Sequence, residues 1–194
     1  MKVLRLSTQI HKWVGLVVGI QVLFWVGGGL VMTAIPIETV RSEHHVRTLT
    51  PAPLALEAAL PVTEAARIAG VAPVRAELRA TQRGAAWVLT PIEGEAVTVS
   101  AGTGRPFGAM TDAEASALAA RAYKGEAAPV RTTLLDQAPR ETGRTGPIWK
   151  VDFNDAERTT FYLSPQTGEL LTRRSAVWRF YDFFWRLHIL DFKN

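Results

Sequence analysis

From Trp13 to Ile37 the chain runs 25 positions without a charged side chain. At about 1.5 Å per helical residue, such a run can cross a hydrocarbon core of about 30 Å. It predicts a membrane-spanning helix over residues 13–37, behind a short N-terminal segment of residues 1–12. Pro36 closes the run, and Pro51 and Pro53 mark an extended linker over residues 38–53. Beyond Leu54 the pattern shortens. Ala58–Ala69 has an Ala-rich helical pattern with Pro61 near its start, and Arg75–Ala80, Ala85–Thr90 and Ala96–Ser100 read as strands divided by Gly84 and Gly94. Thr111-Asp112-Ala113-Glu114 matches a capping box, so a helix is expected from there to about Tyr123. Trp149, Val151 and Phe153 alternate with Lys150, Asp152 and Asn154, the two-residue period of a half-buried strand. Thr159–Leu163 is expected to pair with it across the polar turn Asn154–Glu157.

A turn signal, Ser164-Pro165-Gln166-Thr167-Gly168, follows that second strand, and Ser100-Ala101-Gly102-Thr103-Gly104 stands in the same place 64 residues earlier. The economical reading is an α+β fold of two units, residues 54–108 and 109–174, each a helix plus antiparallel sheet. Residues 175–194 then form a separate aromatic helix.

Charge sets the orientation. Lys2, Arg5 and Lys12 precede the span without an acidic residue, which predicts a cytoplasmic N-terminus and a main domain on the outer face. Those three account for most of the formal net charge of +4, so the remainder is nearly neutral and nucleic acid is not an expected partner. A cleaved signal peptide is the rival to an anchor, with Met32-Thr33-Ala34 as its processing site, but the apolar run exceeds the usual signal core of about 7–15 residues. The chain has no cysteine, which excludes disulfides, thiolate catalysis and thiolate metal sites.

Gly15 and Gly19 form a GxxxG pair, continued by Gly27-Gly28-Gly29, and such small-residue surfaces let a second membrane helix or another copy of the chain approach closely. Trp13 sits at the inner boundary of the span. Trp178, Tyr181 and Trp185 share one helical face of the tail, within a cluster that also holds Phe180, Phe183, Phe184 and Phe192. With Arg179 and Arg186 among them, they predict a helix lying in the lipid interface; an amphipathic helix closing the domain core is the plainer alternative.

The opening His11-Lys12-Trp13-Val14-Gly15-Leu16, followed by an apolar helix, resembles that of the PepSY-associated transmembrane family, and the stretch Trp149–Gly168 resembles its PepSY domains. The resemblance implies a helix-plus-sheet domain held on the outer, periplasmic side of a bacterial cytoplasmic membrane. Members are variously associated with inhibition of peptidases, ligand sensing, and iron or siderophore reduction with haem in the membrane helices. Similar proteins continue from a segment like Tyr181-Asp182-Phe183-Phe184-Trp185-Arg186-Leu187-His188 into a further membrane helix, so a second span beyond Asn194 is an expectation.

Histidine is the remaining chemical resource. His11 and His44 lie about 50 Å apart along a straight span, too far to share a metal within one chain. His44 or His45 together with His188 is the candidate pair of haem b ligands at the outer boundary. Asp152, Asp155 and Glu157 read as a solvated hairpin turn rather than a metal site. HExxH, GxSxG and P-loop motifs are missing, and no catalytic residue is expected. The sequence therefore points to a membrane-anchored, non-catalytic module engaging a peptide, peptidase or other protein partner. The alternative is a haem-b redox accessory for ferric iron or siderophore reduction.

Overall fold

The computed structural model describes residues 2–191; Phe192 of the aromatic tail lies outside them. The elements in chain order are helix α1 (Lys2–Ala34), the single turn α2 (Ile37–Val40), α3 (Val62–Ala69), strands β1 (Pro73–Thr81), β2 (Gly84–Pro91) and β3 (Val97–Ser100), and helix α4 (Asp112–Ala122). Strands β4 (Pro129–Leu135), β5 (Ile148–Phe153), β6 (Thr160–Leu163) and β7 (Leu170–Arg174) follow, then helix α5 (Ala176–Ile189). The architecture is α+β, with an N-terminal apolar helix, two antiparallel sheets and a C-terminal helix. Two compact units divide it, one of α1, α2 and α5, the other His44–Arg174.

In the helical unit, α1 is long and apolar enough to cross a membrane, a property shared by anchors and signal sequences. It begins eleven residues ahead of the apolar run and ends at Ala34, because the residue before Pro36 is pushed out of helical geometry. Its large apolar side chains face outward, Leu23 at 68% and Leu30 at 70% exposure. Helix α5 packs along α1. A Cβ on Gly28 would lie 3.0 Å from the Phe184 carbonyl oxygen and 3.1 Å from the His188 Cβ, so this glycine is what allows the close approach. Gly15 and Gly19 have nothing within 4 Å of such a Cβ. The N-cap of α5 is Ser175, whose hydroxyl accepts from Trp178 N at 3.2 Å and also from Ser42 Oγ at 3.0 Å.

In the second unit each sheet carries its own helix. The first sheet has the order β1-β2-β3 and the second β4-β5-β6-β7, all antiparallel neighbours. Helix α3 starts immediately after Pro61 and stops at Gly70, which adopts the left-handed conformation (φ 67°) and donates to the Ala66 and Arg67 carbonyls. Ala66 of α3 buries against Leu89 and Val99. Helix α4 opens with the expected capping box, Thr111 Oγ1 accepting from Glu114 N at 3.2 Å and Glu114 Oε2 from Thr111 N at 2.8 Å. Its buried face, Ala115, Leu118, Ala119 and Ala122, packs on Trp149, Val151, Phe153, Phe161 and Leu163. In β5 the alternation holds: Trp149, Val151 and Phe153 are buried, while Lys150 and Asp152 are partly open.

The two Thr-Gly turns are superimposable in their bonding. Gly104 N donates to Ser100 O at 2.8 Å and Gly168 N to Ser164 O at 2.9 Å; Ser100 N donates to Arg105 O at 2.8 Å and Ser164 N to Glu169 O at 2.9 Å. Both glycines have positive φ, 66° and 69°. Gly104 lies against Ile68 of α3, and Gly168 against Leu118 of α4.

Strands β4 and β7 carry no sequence forecast. β4 is an edge strand with exposed Thr and Arg positions, and β7 ends in Arg173-Arg174, so neither shows a clean alternation. The segment after His45, expected as part of the linker, is bound to α4: Val46 bridges Tyr123, and Arg47 N donates to Ala122 O at 2.7 Å.

Candidate functional site

Two features of the His44–Arg174 unit carry chemistry. The first is a cleft of about 520 Å³. One wall is the extended segment Val46–Pro51, anchored through the bridge at Val46 and by Gln82 Nε2 donating to Leu49 O at 3.1 Å. The opposite wall is β7, the terminal strand of its sheet, through Leu170, Leu171 and Arg173. The partly open side chains of Leu49, Leu170 and Leu171 supply an apolar floor, with Leu118 and Leu163 buried beneath it. Around this floor stand four arginines, Arg47, Arg79, Arg144 and Arg173, against a single carboxylate, Glu169, which accepts from Thr167 Oγ1 at 3.2 Å. Such a surplus of guanidinium groups recognises carboxylates and other planar anions.

The second feature surrounds His44 and His45, which occupy a 3-10 turn just ahead of the cleft wall. Lys124 N donates to His45 O at 2.9 Å, so the turn is fixed to the end of α4. The His45 ring stacks on Tyr123 (centroids 5.6 Å apart, planes 14°), and Tyr123 stacks on Phe153 (4.3 Å, 17°), tying the imidazole into the core. His44 Nε2 lies 3.2 Å from Glu157 Oε1, and His45 Nε2 lies 3.3 Å from Glu157 Oε2. Next to them Asp155 accepts hydrogen bonds from Tyr123 Oη at 2.7 Å and from Thr159 N at 2.7 Å, and from the Thr159 hydroxyl. Burial raises the Asp155 pKa, but the Thr159 hydroxyl and amide, the Tyr123 hydroxyl and the nearby His45 outweigh it, and the net shift is downward. Tyr123 moves the other way, its phenol held neutral by burial, by its bond to Asp155 and by the charges of Asp155 and Glu157.

The three acidic residues of the β5–β6 turn thus have separate duties. Asp152 bonds Lys150 at 3.1 Å and Thr160 at 2.8 Å, Asp155 secures the turn, and Glu157 faces the two histidines. His188 belongs to the other unit, where its Nδ1 lies 2.7 Å from the Trp25 carbonyl oxygen and its ring stacks on Trp25 at 5.2 Å. A carbonyl only accepts, so Nδ1 carries the hydrogen and, in the neutral ring, Nε2 carries the lone pair. Of the aromatic positions, Trp13 and Trp185 are exposed, at 62% and 42%, and Trp178 and Tyr181 are half-buried on α5.

No family model matches the chain, and neither the curated proteins nor the solved structures contain a match to it.

The cleft has no local signature in the sequence. Its arginines come from the segment after His45, from β1, from the loop before β5 and from β7, and only the fold gathers them.

Proposed function

We propose that this chain is a membrane-anchored binding module, tethered by α1 with its N-terminus in the cytoplasm and its globular unit on the outer face. Its cleft engages an acidic, extended segment of a peptide or protein partner. The observation that carries this reading is the four-to-one excess of arginine over carboxylate around a leucine-lined floor. A partner with alternating apolar and acidic side chains satisfies both surfaces, the leucines taking one set and the guanidiniums the other. A PepSY-type module that restrains a peptidase or senses a ligand fits this behaviour, and no residue of the cleft is required to do bond chemistry.

The test is fluorescence anisotropy of a labelled decapeptide alternating Leu and Glu, titrated with the full chain in detergent micelles. Saturable binding that weakens with salt is expected, falling at least tenfold in Arg79→Glu/Arg144→Glu. Equal binding of the Leu/Lys counterpart, or no effect of charge reversal, overturns the reading.

One observation favours a second reading, a haem-b redox accessory for ferric iron or siderophore reduction. His188 has its Nδ1 hydrogen held by a backbone carbonyl, the support that commonly orients an iron- or zinc-ligating imidazole. His188 would hold the iron through Nε2, and the haem would supply one-electron transfer. A Soret band in protein purified from haem-replete cells, lost in His188→Ala, is the expected result under this reading. A colourless preparation excludes it.

A further inference from the structure

Folding brings His44 and His45 to a residue 113 and 112 positions away, and the three side chains converge nitrogen and oxygen atoms on one point. One ligand atom from each of His44, His45 and Glu157 lies within 4.8 Å of the others. We propose that these residues form a binding site for a divalent transition-metal cation of the zinc class, supported from behind by Asp155 and Tyr123. The proposal is independent of the arginine cleft.

The spacing fits. Donors about 2.0–2.2 Å from a tetrahedral zinc ion lie about 3.3 Å from one another. Two of the contacts already have that separation: His44 Nε2 to Glu157 Oε1 at 3.2 Å, and His45 Nε2 to Glu157 Oε2 at 3.3 Å. The two histidines meet different oxygens of the one carboxylate, and the three ligand atoms stay within 4.8 Å of one another.

As a plain ion pair, the arrangement leaves its parts unsatisfied. His45 Nε2 and Glu157 Oε2 are both shielded from water and neither has a hydrogen-bond partner, although they face each other. Shielded polar atoms without partners destabilise a fold. A cation between them accepts the imidazole lone pair and the carboxylate together, removing both deficits.

The donor set and the charge select the ion. Two imidazoles and one carboxylate suit zinc, cobalt, nickel or copper, whereas magnesium and calcium take oxygen ligands throughout. Asp155 and Glu157 place two carboxylates beside the site, matching a doubly charged cation. Asp155 Oδ2, 4.0 Å from His45 Nε2, already takes the hydroxyl protons of Tyr123 and Thr159, so it acts as a supporting anion rather than a ligand. His44 is 45% exposed, so solvent reaches the remaining coordination position from its side.

The experiment uses the full chain, freed of any affinity tag, stripped with chelator and held in detergent micelles. Calorimetric titration with zinc chloride should show one ion per chain, and His45→Ala and Glu157→Gln should each weaken binding at least tenfold. At a fixed zinc concentration the thermal midpoint of the parent chain should rise by more than that of Glu157→Gln. His11→Ala and His188→Ala should bind as the parent does. If His45→Ala fails to fold by circular dichroism, His44→Ala, at an exposed ring, takes its place with the same expectation. Absence of saturable binding, binding undiminished in Glu157→Gln, or binding abolished by His188→Ala overturns the proposal.

Discussion

Asp155 shows how much a single side chain can hold. Its two oxygens accept from the Thr159 amide and hydroxyl and from the Tyr123 hydroxyl, closing the β5–β6 turn and positioning the base of the histidine cluster. Because its folded pKa is depressed, the stability it contributes is fully present above the ordinary aspartate value near 4 and is lost as pH falls through the folded value. Asp155→Asn is therefore expected to cost on the order of 1–3 kcal/mol at pH 7, and the gap from the parent chain should close on acidification below about pH 4. Urea titrations of both chains across pH 3–7 measure it. On the alkaline side, Tyr123 has a raised pKa, so its contribution persists below about pH 10 and disappears as the phenol ionises.

At the level of elements, local chemistry written in a few residues decides the boundaries. Thr111 and Glu114 cap α4 reciprocally, and Thr111→Ala should lower stability by about 0.5–2 kcal/mol, read from the thermal midpoint. Gly168 meets two demands, a left-handed backbone and a Cβ that would lie 2.7 Å from Leu118 Cδ1, whereas Gly70 has only the first. Gly168→Ala is accordingly expected to cost more than Gly70→Ala, by about 1 kcal/mol or more, in paired denaturant titrations.

These same elements show what was legible beforehand. The capping box, the Trp149–Phe153 alternation and the recurrent Thr-Gly turn were readable because each is a short-range pattern with a fixed period or spacing. Strand β4 was not, although it opens Pro129-Val130-Arg131 just as β1 opens Pro73-Val74-Arg75, and both first strands change register at that point. The repeated tripeptide was the available signal. His44 and His45 were legible as candidate ligands, but their pairing with Glu157, read as part of a solvated turn, was not, and the arginine cleft left no signal; both sets of residues are spread over more than 100 positions and become neighbours only through tertiary packing.

For the molecule as a whole, a few contacts fasten large pieces. Within the His44–Arg174 unit, Arg83 at the β1–β2 turn donates through Nη1 to Gly108 O at 2.8 Å and to Pro165 O at 3.2 Å, so one guanidinium joins the first sheet to the turn of the second. Arg83→Ala should remove on the order of 1–3 kcal/mol, seen as a lower thermal midpoint. In the helical unit the glycines of α1 differ in duty. Gly28→Leu should displace α5 and lower the melting temperature of the chain in micelles, while Gly15→Leu, with nothing within 4 Å, should leave it unchanged. A melt of Gly28→Leu indistinguishable from the parent would remove Gly28 from the packing of α1 and α5.

Writing one turn twice has a consequence for engineering. With Ser100–Gly104 and Ser164–Gly168 built alike, the two halves repeat one helix-plus-sheet plan. A repeated plan lets one half keep the bare scaffold while the other is elaborated, and here only the later half carries a fourth strand and the Asp155–Glu157 loop. Grafting the loop's counterpart from the earlier half into the later one should leave a sound scaffold stripped of its specialised chemistry.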